Sequence, residues 1–299
     1  MSKRAGLVLL IGLVLFGAGA MFYWTRAHRG GIYRPPKVTA RPEGQGTPAK
    51  EPANTGSLPH APDTGGPGVK KEDVAAETSL SPRPGETLEY AANVTQLNST
   101  IANLKLVVGE KRNFAGKSAW HLQAFAHTEN PYRMVFELDD QFDSYSNATD
   151  MASLQYEMHL NERGQKVDYV LRILTSPSEP APTDATAARV LPGTRDPLGT
   201  LQYFREVDWS KTHTMSCPVY DGHKLYEVRA VFEGPVGTVK VPAGDYSASK
   251  IEIHVMENGT EMKDAHFWLY LANDAARTPV QMEAVLPFAT AKVVLTKAK

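Results

Sequence analysis

Cysteine is nearly absent. Cys217 is the single one in 299 residues, which excludes an intramolecular disulfide and a multi-thiolate metal centre. A lone thiol in a β-rich setting reads as a small buried hydrophobe rather than a nucleophile. Charge of one sign is also lacking: 32 Lys/Arg stand against 33 Asp/Glu, a formal net charge of −1. The imbalance is regional, with 11 basic against 6 acidic residues in 1–85 and 21 against 27 in the remainder. A mildly acidic body excludes a nucleic-acid partner, because phosphate binding needs clustered basic surface. Catalytic signatures are missing too. There is no G-x-S-x-G elbow, no G-x-x-x-x-G-K-[ST] phosphate loop and no G-x-G-x-x-G. The nine histidines form neither H-x-H nor H-E-x-x-H. His254 and His266 meet only if their strands pair, and ordinary strand histidines are expected. The chain is therefore read as a non-enzyme with no metal and no cofactor.

What is present begins with residues 1–4, a short basic start carrying Lys3 and Arg4. Residues 5–24, Ala5 to Trp24, are uncharged and end in Tyr23-Trp24. About 20 apolar residues can cross the ~30 Å hydrocarbon layer, with aromatics at its interface. A transmembrane anchor is expected. The alternative is a cleaved signal with its apolar core at Leu7–Phe16 and an A-x-A site at Ala18-Gly19-Ala20. Arg26, Arg29, Arg34 and Lys37 follow the segment and outnumber Lys3 and Arg4. The positive-inside rule taken alone would therefore retain the C-terminal side. Residues 25–85 are rich in Pro, Gly, Thr and Ala with few large apolar side chains, most densely from Pro35. Such a segment cannot bury enough surface to offset its ordering entropy, so a disordered, extended linker is expected.

From Glu86 the pattern turns to period two, and residues 86–299 read as one β-rich domain. "TLEYAANVTQL" and "TIANLKLVVGE" stand at hairpin spacing, "SAWHLQAFAHT", "YRMVFEL" and "DQFDSYSN" follow, and "LQYEMHLNERGQKVDYVLRIL" holds two strands around Asn161–Gly164. "FELDDQFD" brings together Glu137, Asp139, Asp140 and Asp143. It lacks the EF-hand pattern, and adjacent aspartates on a strand face opposite ways, so a solvated turn is expected. Pro177–Gly193 reads as a long surface loop. About a dozen strands suit one antiparallel meander curled into a barrel or half-barrel.

One helix interrupts the strands. Asp196 is a favourable N-cap and Pro197 a favourable first residue, so Pro197–Glu206 is expected to be a short helix. Leu198, Leu201, Tyr203 and Phe204 would face the sheet's concave side. Asp196 and Arg205 sit where the helix dipole favours their charges. In "HFWLYLANDAARTPVQMEAVLP", Phe267, Leu269 and Leu271 share one strand face, and Trp268 and Tyr270 the other. Both faces being apolar suggests cover on both sides, one of them by the helix. Asp274 and Arg277 flank the next turn as a candidate local ion pair, or Arg277 serves a ligand. Leu198, Leu201, Tyr203, Phe204, Trp268, Tyr270 and Arg277 are the candidate residues of a sheet–helix cleft.

"RDPLGTLQYFR", "VPAGDYSASKIEI" and "FWLYLANDAARTPVQMEAVLPFATAKVVLT" resemble an exported bacterial family, domain of unknown function 3108. "GETLEYAANV" and "DDQFDSYSN" fit as well, so the likeness spans Gly85 to Thr296. That family has no assigned activity, so the resemblance implies no catalytic residue. It implies a cell-envelope location and a half-barrel similar to the lipoprotein carriers, which cradle acyl chains between a curved sheet and helices. With the anchor, it implies inner-membrane attachment with the C-terminal domain in the periplasm. The alternative is a soluble periplasmic protein released near Ala20. The function expected is non-catalytic binding of a lipid or other amphipathic ligand. An envelope scaffold with protein partners is the first alternative and a wall-acting hydrolase the second.

Overall fold

The computed structural model describes residues 82–299, apart from 98, 135–136, 177, 184, 263–265 and 287–288. The expected anchor (5–24), the short basic start and nearly all of the linker lie outside the described residues. Among the described residues no helix is long and apolar enough to cross a membrane.

Among the described residues seven strands precede one helix: β1 (Thr87–Val94), β2 (Ser99–Phe114), β3 (Lys117–Thr128), β4 (Asp139–Asn147), β5 (Ser153–Glu162), β6 (Gln165–Leu174) and β7 (Thr186–Arg189). After α1 (Pro197–Glu206) come β8 (Thr214–Tyr220), β9 (Leu225–Val241), β10 (Gly244–Glu257), β11 (Thr260–Glu261), β12 (His266–Ala272), β13 (Pro279–Leu286) and β14 (Ala289–Ala298). The alternation that marks them in the sequence is the alternation of burial. Along β1 the side chains of Leu88, Tyr90, Ala92 and Val94 are buried and their neighbours half-exposed. Ile101, Leu104, Tyr156, Ile251, Leu271, Val293 and Leu295 complete the innermost layer. Each is worth roughly 1.5–3 kcal/mol on burial. The buried phenol of Tyr90 is satisfied: its Oη donates to Pro279 O at 2.8 Å, and burial holds its pKa well above the usual value.

All fourteen strands join one sheet in the order β7-β6-β5-β4-β3-β2-β1-β14-β13-β12-β10-β9-β8, with β11 beside β10. This is two meanders, not one. They meet where β1 pairs antiparallel with β14, Tyr90 opposite Leu295 and Val94 opposite Ala291. β7 adds in parallel to β6. It lies inside the stretch expected to be a plain loop, where Leu171 to Leu174 offer it a free edge. The sheet does not close, since β7 and β8 end the order; it is a half-barrel. The chain just before α1 bridges β8, at one end, to β5, the third strand from the other. Ser153 N donates to Thr194 O (3.0 Å), Arg195 N to Pro218 O (3.0 Å), and Tyr220 N to Arg195 O (2.8 Å). The turn after β8 completes the contact: a Cβ placed on Gly222 would lie 2.5 Å from Met158 Cε of β5.

Two further expectations are corrected. Tyr132–Met134 is a 3-10 turn, not strand, held by Arg133 N on Glu129 O and by the Arg133 guanidinium on Asp139 and Glu137. "DDQFD" is no solvated turn but the start of β4, an interior strand of the sheet. Asp139 and Asp140 do face opposite ways, and Asp140 is buried inward.

Candidate functional site

The helix begins as its sequence dictates. Asp196, 1% exposed, accepts from the N–H groups of Leu198 and Gly199, both at 2.9 Å, and Pro197 occupies the first turn. Ser144 Oγ (2.6 Å) and Ser153 Oγ also donate to its carboxylate, and Asp196 N donates to Ser153 Oγ (2.6 Å). Burial pushes this carboxyl above its usual value, against those four donors. Gly199 allows the first turn to press on the sheet, because a Cβ there would come within 2.8 Å of Ser146 Oγ and 2.9 Å of Met151 O. Arg195 lies 3.5 Å over the Tyr203 ring and donates to Asp150 O and Gly193 O. Beside it, burial pushes the Cys217 thiol up to about 11, so it stays protonated and unreactive at neutral pH.

The far end is fixed by charge. Arg205 forms a bidentate pair with Glu86, both bonds 2.7 Å, between side chains that are 6% and 7% exposed. The same guanidinium donates to Ala276 O and Gln202 Oε1. Arg205 sits in the last turn, where the helix dipole favours it, and its partner comes from 119 positions away.

The space beneath the helix is filled. A gap of about 30 Å³ remains between Leu198, Leu201 and Gln202 on one side and Leu88, Leu106 and Leu122 on the other. That is about the share of one water molecule in the liquid, ~30 Å³. α1 covers a core there. The open space lies past its C-terminus, in a cleft of about 480 Å³ lined by Trp209, Phe232, Leu271, Ser249, Asn273 and Arg277, among others. Trp209 stacks on Phe232 (centroids 6.2 Å, 15°), and His213 on the same ring (6.3 Å, 13°). Phe204 meets Trp209 edge-on at 6.2 Å, and Trp209 Nε1 donates to Phe204 O at 2.9 Å. One wall is therefore a fixed aromatic stack, and Leu271 adds to the apolar lining.

The seven residues of the expected cleft do not converge. Leu198 and Leu201 line the small gap, Tyr203 supports Arg195, and Phe204 backs Trp209. Trp268 and Tyr270 lie on the opposite sheet face from Leu269 and Leu271. Lys250 Nζ sits 4.6 Å over the Trp268 ring, and Tyr270 Oη donates to Glu283 at 3.4 Å. Burial, with Glu283 nearby, pushes the Tyr270 phenol up to about 12. α1 packs on β3, β4 and β8; charged side chains cover that outer face instead. Arg277 alone lines the cleft. It does not pair with Asp274, whose carboxylate accepts from Ala276 N, Thr278 N and Thr278 Oγ1. Trp209, Phe232 and Ser249 are lining residues that sequence reasoning missed. Phe232 was visible as the end of the buried alternation Tyr226, Val228, Ala230.

A second cleft of about 480 Å³ opens where the chain enters β1, between Arg83, Leu88, Tyr246 and Lys299. It lacks an aromatic stack, and its Glu86 is committed to Arg205. On the outer face of β3–β6, His121 Nε2 bonds Asp143 Oδ1 at 2.6 Å, and His159 Nδ1 bonds Asp168 at 2.7 Å. Burial raises Asp143, but donation from His121, Gln141 and Gln123 outweighs it and holds the carboxyl low. Among the described residues no group of three or more His, Cys, Asp or Glu is placed to hold a metal ion. The strands of His254 and His266 do pair, β10 with β12 in a register that runs from Ile253 opposite Phe267 toward these two histidines; His254 bonds Glu261, and His266 stacks on Trp268.

Solved structures similar to this chain match it at very low identity. A β-barrel-like protein of domain of unknown function DUF1849 from Brucella abortus is 10% identical, covering 73% of this chain and 98% of its own, with a TM-score of 0.48. The hypothetical protein CT021 from Chlamydia trachomatis is 7% identical, covering 74% and 89%, with a TM-score of 0.36. No curated protein matches. A family model does match, over residues 89–296, nearly the whole sheet and its helix, and the chain therefore belongs to the family described as protein of unknown function DUF3108.

Proposed function

We propose that this is a membrane-tethered binding protein of the cell envelope that holds an amphipathic ligand and performs no catalysis on it. The observation that carries the reading is the 480 Å³ cleft past α1, with its Trp209–Phe232 wall and Arg277 at the rim. Its size falls in the usual range for small-molecule sites, and it sets an aromatic wall beside polar and charged groups, Asp208, Ser210, Ser249, Asn273, Asp274 and Arg277. The ligand site is thus moved from beneath the helix to beyond its end. Support for a non-catalytic role comes from the carboxylates at this cleft, which are occupied by their own turns. Asp274 takes three local donors, and Asp208 accepts from Ser210 N, Ser210 Oγ and Lys211 Nζ. The apolar run at 5–24 and the Pro-rich linker support tethering at a membrane, and the family resemblance supports the periplasmic side.

The test is native mass spectrometry of the full-length protein taken from its own membranes in lipid nanodiscs. A bound small amphiphile is expected, and it should be lost in Phe232→Asp. Repeated spectra of the bare protein, with no difference between wild type and Phe232→Asp, would overturn the reading.

A further inference from the structure

Arg277 stands out in three independent ways. Its backbone φ is +45°, a left-handed conformation that costs a non-glycine residue free energy. Its side chain is only 21% exposed, and its charged contact is distant, Asp208 at 3.9 Å. Its remaining side-chain hydrogen bond, to Arg205 O, is 3.4 Å long. A guanidinium carries five N–H donors, and a partly buried one with two long contacts leaves most of them unspent. Strain of this kind persists where the surroundings or the function require it. Glycine would relieve it at this position, and arginine is there instead.

The other polar groups at the rim are consumed. Ser249 Oγ donates to Asn273 Oδ1 (2.9 Å), and Asn273 Nδ2 to Ser247 Oγ (3.0 Å). Asp274 and Asp208 are occupied as described. What remains uncommitted is the half-buried Phe232 ring, the edges of the buried Trp209 and Leu271 side chains, and one cation beside them. The volume of about 480 Å³ holds about 16 water-sized units at ~30 Å³ each. That suits one alkyl chain with its head group.

We infer that Arg277 is the head-group receptor of this cleft, and that its ligand is a single-chain amphiphile ending in an oxyanion, a carboxylate or a phosphate monoester. The forked N–H groups match the paired oxygens of either head, and the chain lies along Trp209, Phe232 and Leu271. This rests on the proposed function above and specifies it.

The experiment is equilibrium dialysis of radiolabelled decanoate, decyl phosphate and decanol against the full-length protein in nanodiscs, with empty nanodiscs as the blank. Wild type should bind the two anions on the order of tenfold or more tightly than the alcohol, the scale of a charged hydrogen bond. The tighter of the two anions identifies the natural head group. Arg277→Gly suits the left-handed backbone, so it should fold as well as wild type while anion binding falls to the level of decanol. Decanol binding should not change, and Arg277→Lys should keep part of the preference. An anion-to-alcohol ratio unchanged in Arg277→Gly overturns this inference, while loss of all three ligands in Phe232→Asp would still uphold the cleft. Absence of any binding to wild type overturns both.

Discussion

Glu86→Ala should destabilise the protein out of proportion to its position at the start of the domain. Both carboxylate oxygens bond the Arg205 guanidinium at 2.7 Å, and both side chains are under 8% exposed. Removing the carboxylate strands a buried cation, and breaking such pairs generally costs ~3–5 kcal/mol. Arg205 keeps Ala276 O and Gln202 Oε1, so the lower end applies, about 3 kcal/mol. For a domain of this size, a midpoint shift of about 2–4 °C per kcal/mol gives a fall of roughly 6–12 °C. The double variant Glu86→Leu/Arg205→Met removes both charges and should sit much closer to wild type. The assay is thermal and urea unfolding, followed by circular dichroism, of wild type, Glu86→Ala, Arg205→Met and the double variant in the full chain. A loss below ~1 kcal/mol for Glu86→Ala, or a double variant as unstable as the two singles summed, would refute the claim that a buried charge pair pins α1.

Two more outcomes follow from the geometry. Gly199→Ala in α1 should destabilise, although the same change in an open helix stabilises by about 1 kcal/mol. The added methyl meets Ser146 Oγ at 2.8 Å and the Met151 carbonyl at 2.9 Å; a raised unfolding midpoint would contradict this contact. Stability should also depend on Asp140, whose carboxyl is pushed up to about 7 by burial and by the nearby Glu162 and Asp139 charges. In the unfolded chain it titrates near ~4. The folded state therefore holds this proton more tightly. Its contribution is full below pH ~4 and drains away as pH rises toward 7. Asp140→Asn keeps the acceptor for Asn161 N (2.8 Å), so its stability relative to wild type should rise between pH 4 and pH 8. Urea unfolding at several pH values measures this, and a pH-independent difference would contradict it.

The parts legible in the sequence are the local ones. α1 and its bounds follow from Asp196 and Pro197, whose effects act within one turn. The β5–β6 hairpin follows from the turn residues around Gly164. The pairing of β1 with β14 joins segments about 200 positions apart, and no local signal specifies it. The same distance hides Glu86 from Arg205. The strand "DQFDSYSN" was legible, but the acidic start of β4 was misread because its outward Asp143 looked solvated by type, whereas His121, Gln123 and Gln141 cover it. Arg277 was identifiable as a candidate, but its setting was not. The aromatic wall comes from Trp209 after the helix and Phe232 on β9, and only the half-barrel's curvature brings them beside the turn that follows β12.

The most direct test of the ligand cleft is a crystal structure of the protein with a terminally brominated decanoate, located by anomalous scattering. The bromine should appear in the trough beside Trp209 and Phe232, with the carboxylate density on the Arg277 guanidinium. Bromine found beneath α1, on the outer face beside Trp268, or at no defined position would contradict the account.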